Sequence, residues 1–176
     1  MTTPGQTVGP FFHDALPYVG GSDLVPPGSA GAVRLHGHVL DGAGDPVPDA
    51  LLEIWQPDPE GNVVRESGSL RRDGWTFTGW GRAATDPTGY YSFSTLRPGG
   101  PDPFWAVTVF ARGLTNRLFT RAYLAETDSP FLAGLDPERR GTLIATPDRH
   151  GFVFDVRLQG DRETVFLSFP RHRGAD

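Results

Sequence analysis

The chain has no cysteine and no lysine. The first absence excludes a disulfide framework, a thiolate metal site and a cysteine nucleophile. The second leaves arginine as the only long basic side chain. All 16 basic residues are Arg, scattered through a chain of formal charge −5, so no basic stripe points to nucleic acid. Nowhere does the sequence reach the ~18 consecutive apolar residues of a membrane-spanning helix. Its first ten residues, MTTPGQTVGP, show neither a basic leader nor an apolar segment, so a soluble cytoplasmic protein is expected. Histidine is missing between His38 and His150, and tyrosine between Tyr18 and Tyr90 and again between Tyr91 and Tyr123. A nucleophile elbow, a phosphate-binding loop and a dinucleotide fingerprint are also absent. Glu53, Asp58, Glu60 and Glu126 show no pairing that would suit glycoside hydrolysis and read as turns and solvated faces.

What is present is a series of short β patterns separated by turns. With 38% hydrophobic and 11% aromatic residues among 176, the chain can build one packed core. Val33, Leu35, Gly37 and Val39 alternate with Arg34, His36 and His38, and a turn follows at Asp41 to Gly44. Leu51–Gln56 reads as a second strand, and Trp75, Phe77 and Gly79 alternate as a third. The turn Asp86-Pro87-Thr88-Gly89 leads into a strand with Tyr91, Phe93 and Thr95 on one face. Trp105–Arg112 and Leu118–Leu124 follow, with a short helical turn expected within Phe131–Arg140. Phe152–Leu158, a turn at Gln159 to Asp161, and alternating Val165, Leu167 and Phe169 predict a terminal hairpin. Proline and glycine break residues 1–31 into an extended arm, whose Val8, Phe11, Phe12, Leu16 and Tyr18 imply that it lies against a surface. The expected architecture is all-β: a single-domain antiparallel β-sandwich over residues 32–176, preceded by the arm over 1–31.

One stretch carries more than a fold pattern. G-R-A-A-T-D-P-T-G-Y-Y-S-F-S-T-L-R-P-G, from Gly81 to Gly99, resembles the signature of the intradiol ring-cleaving dioxygenases. Further pieces fall in the same order. They are T-P-G-Q-T-V-G-P-F-F at the start, P-V-P-D-A-x-L-E-I-W-Q ending at Gln56, L-F-T-R-A-Y-L from Leu118, and R-R-G-T-L-I-A from Arg139. V-F-A-R-G from Val109 and F-D-V-R-L-Q-G-D-R-E-T-V-F near the end are most similar to the alpha-type subunits of the family's two-subunit members. Together these motifs cover nearly the whole chain.

The family holds a non-haem ferric ion with two tyrosines and two histidines, so the resemblance implies where such ligands would stand. One tyrosine belongs shortly after E-I-W-Q, where this chain reads Gly61-Asn62-Val63-Val64-Arg65. The second follows the Pro-Gly of the signature, where it reads Gly100-Pro101-Asp102-Pro103, and the H-x-H segment is replaced by Phe104 to Val109. All four ligands are therefore missing. The resemblance then implies a non-catalytic alpha-type subunit that binds no metal itself. Its Fe(III) would be held by a homologous iron-binding beta subunit in a higher-order alpha/beta assembly. Such assemblies use O2 to open 3,4-dihydroxybenzoate, a small aromatic catechol, to 3-carboxy-cis,cis-muconate.

The same resemblance places Thr7, Gly9, Pro10 and Arg112 as substrate-binding residues that close the partner's pocket, with no catalytic residue in this chain. A guanidinium suits a substrate carboxylate, although Arg112 could equally cap a strand end in a structural ion pair. Relatives often carry Tyr after Gly-Pro. Phe11 stands here, so a phenolic hydrogen bond would be lost. Arg121 reads as an interface residue or core ion pair, and Tyr90 and Tyr91 as core or cross-strand packing. His36 and His38 share a strand face and could chelate, though a solvated strand face explains them as well, and His13, His150 and His172 stand alone in loops. Two other readings remain: a metal-free binding or structural module without a partner, and a stand-alone metalloenzyme using His36 and His38.

Overall fold

The computed structural model describes residues 5–169. The start of the arm through Pro4 and the end of the chain with His172 lie outside the described residues. Two sheets carry the fold. The first has the order β4 (Tyr90–Leu96), β1 (Ala32–Leu40), β8 (Gly151–Val153), β7 (Thr146–Pro147), with β9 (Val156–Arg157) also paired to β1. The second runs β3 (Trp80–Ala84), β2 (Leu51–Trp55), β5 (Phe104–Phe110), β6 (Leu118–Tyr123). Alternate residues explain why the sheets stack. Leu35 and Val39 of β1, Tyr91 and Phe93 of β4, and Trp105, Val107 and Val109 of β5 are all buried in one core with Leu52 and Ile54 of β2. The β-sandwich expected from the alternation is what the chain forms.

The fold departs from the expectation at three places in its strands and at two in its helical turns. β1 pairs in parallel with β8 and β9, so the first sheet is mixed rather than wholly antiparallel. The third strand is Trp80–Ala84 and not the Trp75 region: residues 66–79 have no regular structure and Trp75 is almost fully exposed. The terminal hairpin is begun but not extended: Thr164 N donates to Arg157 O at 3.0 Å and Arg157 N to Thr164 Oγ1 at 2.9 Å, with no further rungs among the described residues. After β9 the chain crosses to the other sheet, where Leu167 N donates to Phe119 O at 2.7 Å and Thr120 Oγ1 to Val165 O at 2.8 Å. Finally, the arm contains one helical turn, α1 (Phe12–Ala15). The helical turn expected near Phe131–Arg140 is two: α2 (Pro130–Ala133) and α3 (Pro137–Gly141).

The arm closes the side of the sandwich where β3 and β4 are edge strands. Arg82 N donates to Gly21 O at 2.9 Å, and Ser94 N donates to Ser22 O at 2.9 Å. Leu24 N donates back to Ser94 O at 2.8 Å, and its side chain enters the core at 3% exposure. A Cβ on Gly81 would come within 2.4 Å of Leu24 Cδ1, so glycine at this point of β3 makes room for the arm. Two arginines clamp it from below. Arg72 donates from Nε to Gly20 O at 2.7 Å, while Arg82 donates to Leu16 O at 3.2 Å and pairs with Glu53 at 2.5 Å. Among the described residues no helix is long and apolar enough to cross a membrane.

A buried amide knots the loops at one end of the sandwich. Gln56 is fully buried, and its Oε1 accepts from Trp105 Nε1 at 2.9 Å and from Thr95 Oγ1 at 2.5 Å. Its Nε2 donates to Leu96 O at 2.9 Å and Pro57 O at 3.2 Å. One side chain thus joins β5 to the exits of β2 and β4. Gln56→Leu would take this partner from the indole N–H, the Thr95 hydroxyl and two backbone carbonyls. It is expected to cost about 2–4 kcal/mol, read as a lower urea midpoint with little change in slope.

In the long loop that follows β2, Asp73 accepts from Trp75 N and Thr76 N, both at 2.8 Å, and from Thr76 Oγ1 at 2.7 Å. These donors favour the carboxylate and lower its pKa from 3.8 to about 2. A depressed pKa makes the turn fully stabilised above the ordinary value and weakened as pH falls toward about 2. NMR titration is expected to show Asp73 ionising near pH 2, with the Trp75 and Thr76 amide signals moving in step.

Candidate substrate-facing site

Register brings the site together. β2 and β5 are antiparallel with Leu52 opposite Val109 and Leu51 opposite Phe110. Continuing that pairing two residues past Leu51 and Phe110 sets Asp49 opposite Arg112. The two side chains form an ion pair between Asp49 Oδ2 and Arg112 Nε. They are unequal partners: Asp49 keeps 9% of its side-chain exposure, Arg112 keeps 56%. Thr85, the first hydroxyl residue of the signature, fixes the acidic side. Its hydroxyl donates to Val47 O at 2.8 Å and accepts from Ala50 N at 3.0 Å, holding the backbone on both sides of Asp49. On the basic side, Ala111 is buried and Gly113 takes a positive φ of 85°, so Arg112 sits at the mouth of a tight turn.

The arm reaches this same turn. Thr7 Oγ1 accepts from Gly113 N at 2.7 Å, and Phe12 packs on Phe110 with ring centroids 5.6 Å apart. Between these anchors the chain turns at Gly9 and Pro10, where Phe12 N donates to Gly9 O at 3.2 Å. Thr7, Gly9 and Pro10 are exposed. The structure therefore brings Thr7 and Arg112 into one neighbourhood from positions more than a hundred residues apart, with Gly9 and Pro10 on the turn beside them. The hydroxyl of Thr7 is engaged in holding the loop. The ion pair of Arg112, one of the two alternatives raised by the sequence, is present, and Asp49 and Thr85 are the members that sequence reading missed. Asp49 lay in view within P-V-P-D-A, but its partner emerges only from the β2–β5 register.

The segments where relatives carry iron ligands also meet. Gly99 N donates to Asp58 O at 2.9 Å, and a Cβ on Gly99 would come within 2.0 Å of Pro59 O, so the loops 58–61 and 98–100 lie backbone against backbone. In the stretches that follow these two loops the chain carries Val63, Val64, Arg65, Pro101 and Asp102, and β5 runs Phe104 to Phe110. Ferric ion on a catechol needs hard anionic oxygens together with imidazoles. Neither a phenolate nor an imidazole stands in these segments, and this donor set does not fit the ion. Among the described residues no group of three His, Cys, Asp or Glu side chains could hold a metal.

The remaining candidates have other engagements. His36 Nε2 lies 3.2 Å from Asp148 and His38 Nδ1 3.6 Å from Asp155, and both rings pack on Tyr90. Each imidazole thus faces its own carboxylate. Tyr91 is buried and donates to Phe154 O at 2.5 Å, its pKa pushed up by burial. Tyr90 is the cross-strand partner of His38. Arg121 lies 4.4 Å over Phe104 and 5.4 Å over Phe131 and donates to the Tyr123 hydroxyl at 3.0 Å, so it is held by aromatic faces rather than by a core carboxylate. His13 is half-buried, 3.5 Å from Asp14, and His150 is exposed, accepting from Arg149 Nε at 2.8 Å.

The family model described as Dioxygenase matches residues 15–129. The protocatechuate 3,4-dioxygenase alpha chain of Burkholderia cepacia is 36% identical, aligned over 94% of this chain and 96% of its own. The beta chain from the same organism is 33% identical over 70% of this chain and 63% of its own. Among solved structures, the dioxygenase domain of a dioxygenase–carbohydrate-binding fusion from Streptomyces sp. SirexAA-E superposes with a TM-score of 0.58 at 26% identity, covering 90% of this chain and 98% of that one. This chain belongs to the intradiol ring-cleaving dioxygenase family.

Proposed function

We propose that this chain is the alpha subunit of a protocatechuate 3,4-dioxygenase, working with a homologous, iron-bearing beta subunit in the cytoplasm. The pair consumes O2 and opens 3,4-dihydroxybenzoate between its two hydroxyl-bearing carbons to give 3-carboxy-cis,cis-muconate. The observation that carries this reading is the near end-to-end match to an alpha chain, in a chain whose own donor set does not suit ferric ion. Iron is therefore assigned to the beta subunit. The alpha subunit supplies a wall of the pocket: the arm over residues 1–31 presents the Gly9–Pro10 turn, and Arg112 offers a permanent positive charge to the substrate carboxylate. Thr7 keeps the arm and the Arg112 loop in step through its bond to Gly113.

The test is expression of this chain alone, and together with a homologue that retains two tyrosines and H-x-H. Tightly bound iron, its visible tyrosinate absorption and protocatechuate turnover are all expected in the co-purified complex only. Stoichiometric iron and turnover in the lone chain would overturn the assignment. Within the complex, Arg112→Ala is expected to raise KM for protocatechuate about tenfold, the size of one charge-assisted hydrogen bond. Size-exclusion chromatography should show assembly intact.

A further inference from the structure

Arg112 gives the proposed pocket its charge, and the structure pairs that charge with Asp49. An exposed arginine on a loop samples many rotamers, and a ligand that uses it must first freeze them. Here the closest approach to Asp49 is through Nε, the nitrogen nearest the chain, and Asp49 itself is 9% exposed in its side chain. The acid cannot wander. Thr85 ties Val47 O and Ala50 N on either side of it, and β2 begins at the next residue but one. The guanidinium has five N–H donors and one carboxylate takes at most two of them. At 56% side-chain exposure, Arg112 keeps donors for a second carboxylate arriving from solvent.

We propose that Asp49 is a positioning residue for the reaction: by gripping Arg112 from behind, it aims the guanidinium at the carboxylate that distinguishes protocatechuate from unsubstituted catechol. This rests on the reading of Arg112 as the substrate-carboxylate contact. It adds that substrate preference is set by a pair, one member buried and the other exposed. Asp49 also lowers the local positive potential, so removing it has two opposed effects. Its electrostatic effect acts on any approach of an anion, while its loss of aim acts on the bound geometry. In this arrangement aim outweighs potential, because the outer charge remains solvated and screened while the inner acid is fixed.

The experiment uses the reconstituted alpha/beta complex and reads the preference ratio, kcat/KM for protocatechuate divided by that for catechol, which lacks the carboxylate. Asp49→Ala is expected to lower the ratio about fivefold, chiefly through KM for protocatechuate. Asp49→Asn keeps volume and an acceptor, and should lower it about twofold. On an Arg112→Ala background, Asp49→Ala should change the ratio no further, an interaction that a merely structural acid would not show. An unchanged or raised ratio for Asp49→Ala, or additive effects in the double variant, overturns the proposal while leaving Arg112 in place. If Arg112→Ala itself leaves the ratio unchanged, the underlying assignment of Arg112 fails instead. Should Asp49→Ala not assemble, Asp49→Asn alone decides, and no fall in its ratio counts against the proposal.

Discussion

The pairing of β2 with β5 is the constraint on which the site depends. Ile54 against Val107 and Leu52 against Val109 place buried side chains from both strands on the core face, and a slip of one residue would turn that face to solvent. A register locked by the core also sets what lies beyond the strand ends. At one end it sets Asp49 against Arg112, and at the other it brings Gln56 to Trp105 and Thr95. Apolar packing in the middle of the sandwich therefore decides the polar geometry at both ends.

Much of this was legible in the sequence. Alternation over Val33–Val39, Tyr91–Thr95 and Trp105–Val109 reports strands with one buried face, and those strands form. β3 was hidden because its inward-facing residues are small: Gly81 and Ala83 face inward to admit Leu24 from the arm, a contact far away in sequence. Trp75 and Phe77 imitate a strand, but Asp73 folds that segment into a turn instead. The ending was misread for a different reason. Parallel pairing of β8 and β9 with β1 joins residues more than a hundred positions apart, and local periodicity carries no trace of it.

The candidate site divides in the same way. Thr7, Gly9, Pro10 and Arg112 could be named from the motifs because those motifs run in a family-specific order. Asp49 and Thr85 could not be given roles, although both stand in quoted motifs, because their roles are relations between loops. Thr85 acts through a hydroxyl bonded to Val47 and Ala50. What replaces the iron ligands is equally informative. The loops in which the resemblance would place them are pressed together at Gly99 and Pro59, and the side chains in these stretches include no phenolate or imidazole.

The arm and the final segment together border the β3–β2–β5–β6 sheet. Gly21 takes the outer amide of Arg82 on β3, while Leu143, Ala145 and Leu167 bond the outer backbone groups of Tyr123 and Phe119 on β6. A neighbouring chain finds those margins already spoken for by main-chain partners. Strand addition along these two margins is thereby disfavoured, because the backbone groups that would pair with an incoming strand are already bonded within the chain.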